Sequence, residues 1–191
     1  MMAFCLIILS IPSASGATSP NSATRHIGVL ILGAADYKTA RYYRELKGKL
    51  NPDNNPSFII EAGDEIQSKY MTYWAKKGFL KEQPVSKQDM IDFAASSGYD
   101  KVLYLVPNNF FVSDQMFYAK TFWQALLVGD FEYSTASIAI FAVLCDKDEI
   151  TKQYTASYEF NTLKSDDKSS LKKQAFNHCI KEIGKEFSND L

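Results

Sequence analysis

Apolar residues along this chain recur with two periods. Ile27 to Leu32 (IGVLIL) and Lys101 to Val106 (KVLYLV) are short runs, apolar on both faces, as strands buried inside a sheet require. Ser57 to Ile60 reads as a shorter strand of the same kind. Between these runs the period lengthens to that of a helix. From Tyr37, the residues Tyr42, Tyr43, Leu46 and Leu50 share one stripe, with Lys38, Arg41, Arg44 and Lys47 between them. Gly63 and Asp64 open a second helix with the stripe Ile66, Tyr70, Tyr73 and Trp74, ending before Gly78. Pro84 keeps Phe79 to Val85 out of helical conformation. Ser86 with Asp89 has the form of a capping box. It begins a third helix that buries Met90, Ile91, Phe93 and Ala94 and stops at Gly98.

The last third changes character. Tyr133 to Cys145 reads as a long strand with Ala136, Ile138, Ile140 and Ala142 on one face. Asp146 to Asp148 is a polar turn, and Glu149 to Leu163 returns as an antiparallel partner with one wet face. A final helix buries Leu171, Ala175, Phe176, Cys179, Ile183 and Phe187. Asn108 to Glu132 fits two readings: a helix through Met116, Ala119, Trp123 and Leu126, or the far arm of a hairpin. The order β-α-β-α-α-β-β-β-α predicts an α/β fold leaning to α+β, one mixed sheet of about five strands covered by helices.

The N-terminus adds a compartment. Ala3 to Ile11 is a short apolar run, broken by Pro12 and followed by the small residues Ser13 to Ala17. That is the form of a signal peptide over residues 1–17, too short for a membrane span. No Lys or Arg precedes the run. Residues 18–25 form a polar spacer, and 26–191 a single domain with an aromatic-rich insertion at 108–132. Lys and Arg total 21 against 22 Asp and Glu. That balance leaves no excess charge to neutralise phosphates and argues against nucleic acid as a partner.

Few residues offer chemistry. Gly33 to Asp36 (GAAD) follows the first strand where a phosphate loop would sit. It has a single glycine after the strand, and no glycine precedes Lys38. Asp36 reads instead as the N-cap of the next helix. His26 precedes the first strand, and His178 lies mid-helix beside Cys179, where neighbouring side chains point apart. Asp146, Asp148 and Glu149 lack the glycine and distal glutamate of a calcium loop. No Cys-x-x-Cys or His–Cys cluster is present, so neither metal nor cofactor is expected. Beyond the signal, Cys145 and Cys179 either form one disulfide or pack as two buried thiols.

Two kinds of site remain. Phe110, Phe111, Phe117, Tyr118, Phe122 and Trp123 form a dense aromatic set; exposed, they would mark a protein contact, and folded over the sheet they would complete the core. Alternatively Asp36, Glu61, Asp64 and Asn108 would line a pocket at the carboxyl ends of the parallel strands, as in a small-ligand binder or hydrolase.

The most specific text is Lys69 to Val106, with KYMTYW, then GFLKEQP, then AASSGYDKV, and ADYKT near Asp36. It resembles a family of small exported bacterial proteins of unknown function. The order of elements also resembles, more distantly, the N-terminal α/β domain of TolB and the periplasmic domain of the curli secretion channel. Those likenesses imply an envelope domain that acts by docking to another protein or by self-association. Phe110 to Phe131 departs from the simplest form of that domain, so the partner would differ. On this reading the chain is not an enzyme.

Overall fold

A computed structural model describes residues 24–33, 35–51, 54–108, 110–118, 120–121, 126, 131–163 and 167–191. The signal peptide expected at 1–17 lies outside the described residues. The strands are β1 (Arg25–Ile31), β2 (Phe58–Ala62), β3 (Lys101–Pro107), β4 (Phe111–Phe117), β5 (Phe131–Cys145) and β6 (Ile150–Leu163). The helices are α1 (Ala40–Leu50), α2 (Asp64–Lys76), α3 (Lys87–Ser97) and α4 (Lys168–Phe187). The six strands form one mixed sheet.

β1 lies between β2 and β3 and is parallel to both. A right-handed crossover to opposite sides of one strand sends its helices to opposite faces of the sheet. That is the arrangement here. Ile27, Val29 and Ile31 point to the face covered by α1 and α4. Leu30 and Leu32 point to the face covered by α2 and α3. Gly28 lies on that second face, where a Cβ would come within 2.5 Å of Ile66 Cδ1.

β3 turns the sheet antiparallel by pairing with β5, from Val102 opposite Cys145 to Pro107 opposite Ile140. β4 continues along the same side of β5, from Phe111 opposite Ser137 to Phe117 opposite Phe131. Between Pro107 opposite Ile140 and Phe111 opposite Ser137 the register changes by one residue. β6 runs along the other side of β5. β4, β5 and β6 thus form an antiparallel ribbon. The sixth strand is β4, so the hairpin reading applies to Phe111–Phe117.

Several boundaries differ from expectation. Arg25, placed in the spacer by its sequence, starts β1; its guanidinium donates to the Leu191 carbonyl at 2.9 Å. The helix expected from Tyr37 begins at Ala40, and Asp36 does not cap it. Its N-cap is Thr39, whose carbonyl accepts from the Tyr42 and Tyr43 amides. Asp36 sits in a 3-10 turn, Ala35–Tyr37, and accepts from Lys172 Nζ at 2.9 Å. Burial of Tyr37 against Phe176, ring centroids 5.3 Å apart, fixes that turn. Ile91, expected in the core, is half-exposed.

The Ser86–Asp89 capping box forms in full, and Gly98 adopts the left-handed conformation at φ 84°. Asp89 also accepts from Lys77 Nζ at 2.7 Å. That ammonium, with Ser86, holds its carboxyl down to about 2 from 3.8. Cys145 and Cys179 are free and buried, in the cores on opposite faces of the sheet. No disulfide can join them in this fold, and burial pushes both thiols up to about 12.

Two glycines in helices should respond oppositely to alanine. A Cβ at Gly184 would lie 2.5 Å from the Lys49 carbonyl oxygen, where α4 crosses the end of α1. Backbone cannot yield there as a side chain can, so Gly184→Ala should cost about 1–3 kcal/mol. Gly48 meets nothing within 4 Å, and Gly48→Ala should stabilise by about 0.5–1 kcal/mol. Urea unfolding measures both. The unfolded chain takes up a proton at Asp89 near 3.8, whereas the fold keeps it ionised to about 2. Its contribution is therefore complete above about pH 4 and lost as pH falls toward 2. In Asp89→Asn the stability–pH profile should flatten over that interval.

Candidate functional site

The residues singled out from the sequence occupy separate parts of the molecule. The carboxylate of Asp36 is exposed and drawn down by Lys172. Glu61, opposite Gly28 in the ladder, faces the amino end of β1. It contacts His26 Nδ1 at 3.1 Å, a contact that holds its carboxyl below the usual carboxylate range. Asp64 is the exposed first residue of α2. Asn108 is exposed, its amide donating to the Ala139 carbonyl at 2.8 Å. Asp36, Glu61 and Asn108 thus bond different neighbours, Lys172, His26 and Ala139.

A groove of about 620 Å³ does lie at the carboxyl ends of β1 and β3. Its walls are Leu32, Gly33, Val106, Phe141, Met90 and the connector Glu82 to Val85. Glu82 fastens that connector. One carboxylate oxygen accepts from the Gly33 amide at 3.0 Å, and the other pairs with Lys38. Phe79 packs on Trp74 with ring centroids 5.8 Å apart, which anchors the start of the connector. Glu82 is the one charged residue in the lining, and both its oxygens are engaged. Among the described residues the rest of its lining is mostly apolar. The sequence signal for it was Pro84, which holds the connector extended. Its closure over β1 depends on a contact 49 residues away.

The histidines have local partners. His178 stacks on Tyr158, ring centroids 3.7 Å apart, and faces Glu182 at 3.3 Å. Cys179 points the other way, into the core. Asp146 accepts from the Asp148 and Glu149 amides and closes the β5–β6 turn. Among the described residues, no group of three or more His, Cys, Asp or Glu is placed to hold a metal.

The aromatic set maps to the ribbon. Phe110 is half-buried and packs against the α1–α4 core. Phe111 is 61% and Tyr118 66% exposed. Phe117 ends β4, opposite Phe131; Phe122 and Trp123 lie outside the described residues. Met116 and Leu163, near the tip of the ribbon, are exposed as well, as is Leu126 in the segment joining β4 to β5, while Phe111 stands six residues back along β4. Phe111 shares a face with Tyr133 and Leu163, since residues opposite one another in a ladder point the same way. Side-chain bonds across the three strands stiffen this end. Tyr133 donates to Gln115 at 2.5 Å, Thr135 to Asn161 at 2.7 Å and, on the opposite face, Ser134 to Asp114 at 2.6 Å. Helices α2 and α3 cover the second face only as far as Val143 and Cys145.

No family model and no curated protein matches the chain. Among solved structures it is similar to a protein described as a neuraminyllactose-binding hemagglutinin homolog from Helicobacter pylori. That similarity has 12% identity and a TM-score of 0.48, over 88% of each chain. It is also similar to a minor lipoprotein from Acinetobacter baumannii, with 8% identity and a TM-score of 0.36, over 87% of this chain and 92% of that one. A third is rare lipoprotein B from Shewanella oneidensis, with 9% identity and a TM-score of 0.35, over the same shares. Among the described residues no helix is long and apolar enough to cross a membrane.

Glu82→Ala should free the connector without unfolding the domain. Losing a charged acceptor on a backbone amide is worth about 1.5–3 kcal/mol locally. Trypsin should therefore cut after the exposed Lys81 roughly tenfold faster or more, with little change in melting temperature. An unchanged cleavage rate would show that the latch does not hold the loop.

Proposed function

We infer that this chain is an exported, non-catalytic protein of the bacterial cell envelope, and that the end of its antiparallel ribbon is a protein contact surface. The supporting observation is where the exposed apolar side chains fall. Phe111, Met116, Tyr118, Leu126 and Leu163 are five of the nine large hydrophobics exposed among the described residues. All five belong to the ribbon or to the segment that joins β4 to β5. Scattered exposed hydrophobics are ordinary, but a concentrated set on a stiffened frame marks an interaction site. Aromatic rings there supply large contact area at small entropic cost. The signal peptide expected at 1–17 supports export.

A second reading is favoured by the groove at Leu32, Val106 and Phe141. Its apolar walls and size suit a small apolar ligand, and it would act in binding rather than hydrolysis.

The test compares proteins retained from envelope fractions by the wild-type chain and by Phe111→Ser/Tyr118→Ser, with Glu82→Ala as a control for the groove. Both ring positions are exposed, so the double variant should keep its fold. A partner held by wild type should be lost from the ring variant and kept by the control. Retention of the same partner by the ring variant would remove the ribbon end as the contact.

A further inference from the structure

We propose that β6 is a self-association strand. Two copies of this chain would pair antiparallel along its outer edge, about a twofold axis through Ala156. β6 is 14 residues long and hydrogen-bonds to β5 on one side. Among the described residues no strand lies on its other side. Long edge strands are usually guarded by prolines, by bulges that twist the edge away or by outward charges. β6 contains no proline, and its charged residues are Lys152 and Glu159. Lys152 is turned away to the C-terminus, where it bonds the Glu186 carbonyl at 2.6 Å and Asp190 at 2.9 Å. The register irregularity falls at Leu144 and Cys145, at the far end of the ladder.

The occupant follows from the sequence of the strand itself. Thr151 to Asn161 (TKQYTASYEFN) reads with nearly the same chemistry from either end. A twofold axis at Ala156 sets Ala156 against its own copy. It then sets Tyr154 against Tyr158 of the second copy, Thr155 against Ser157, Gln153 against Glu159 and Thr151 against Asn161. Residues of equal parity meet, so each pair shares a face. Aromatic pairs form on the side covered by α4, while hydroxyl and amide pairs form on the open side. Lys152 meets Phe160, and Glu159 meets Gln153, so no like charges oppose. Axes at Lys152 or Glu159 would oppose them and would shorten the overlap. An unrelated strand has no reason to match this pattern, whereas a second copy matches it by symmetry. The pair would carry a continuous sheet, with its two aromatic ribbon ends pointing in opposite directions.

Sedimentation equilibrium of the full domain tests this. Wild type should show a monomer–dimer equilibrium on the order of micromolar, as a modest interface gives. Thr155 and Ser157 are exposed, so Thr155→Lys/Ser157→Lys and Thr155→Glu/Ser157→Glu should fold and melt as wild type does. Each alone should sediment as a monomer where wild type is dimeric, and an equimolar mixture of the two should recover the dimer. A wild-type chain that stays monomeric into the millimolar range overturns the proposal. So does a dimer that survives Thr155→Lys/Ser157→Lys, or a mixture that does not reassociate.

Discussion

The hydrogen-bond ladder along β5 organises this molecule. Its fifteen residues pair with β3 and β4 on one side and with β6 on the other. Through β3 the ladder reaches the parallel half of the sheet, and through β4 and β6 it builds the ribbon. Its side chains set how closely the helices approach. Ala136, Ala142 and, across the ladder, Ala156 are buried, and Ala142 and Ala156 belong to the core under α1 and α4. Small residues there leave room for the larger Phe176, Ile180 and Phe187 of α4 to sit against the sheet. Larger side chains on the strand would push the helix away and leave its stripe exposed.

Hydrophobic burial and polar contacts divide the work. Two cores, one on each face of the sheet, carry the apolar area. Ion pairs and caps hold the joints between elements: Lys172 on Asp36, Glu82 on Lys38 and the Gly33 amide, and Lys77 on Asp89. Most of these pairs are partly exposed and so contribute modestly. Their positions matter more than their strengths, because each ties a connection to a distant element.

The sequence shows what is encoded locally. The capping box at Ser86, the stop at Gly98 and the stripe Leu171 to Phe187 each lie within a few turns of one helix, and all three match the fold. β4 was ambiguous for a physical reason. Phe111 to Phe117 (FVSDQMF) has apolar ends and a polar centre, which suits neither period cleanly. Its strand state depends on β5, which begins fourteen residues later. Asp36 misled in the same way, since its partner lies 136 residues on. Of the candidate sites, the aromatic cluster was visible as composition. Which rings face outward was not, because exposure depends on register. Of the groove only the extended connector at Pro84 could be read, since Leu32, Val85, Val106 and Phe141 come together only in the folded sheet.

The one-residue change of register between β3 and β4 has a reach beyond its size. In β3 the even-numbered residues Val102 and Tyr104 face α2 and α3. In β4 it is the odd-numbered Phe111, Ser113 and Gln115 that share that side, because each stands opposite an odd-numbered residue of β5. That change of register swaps the parity. Carrying the β3 register onward would set Phe111 opposite Ala136 and turn the β4 arm inside out, sending Phe111 toward α4 and Asp114 to the opposite side. The outward display of aromatic surface thus follows from a one-residue shift of frame rather than from the identity of any ring.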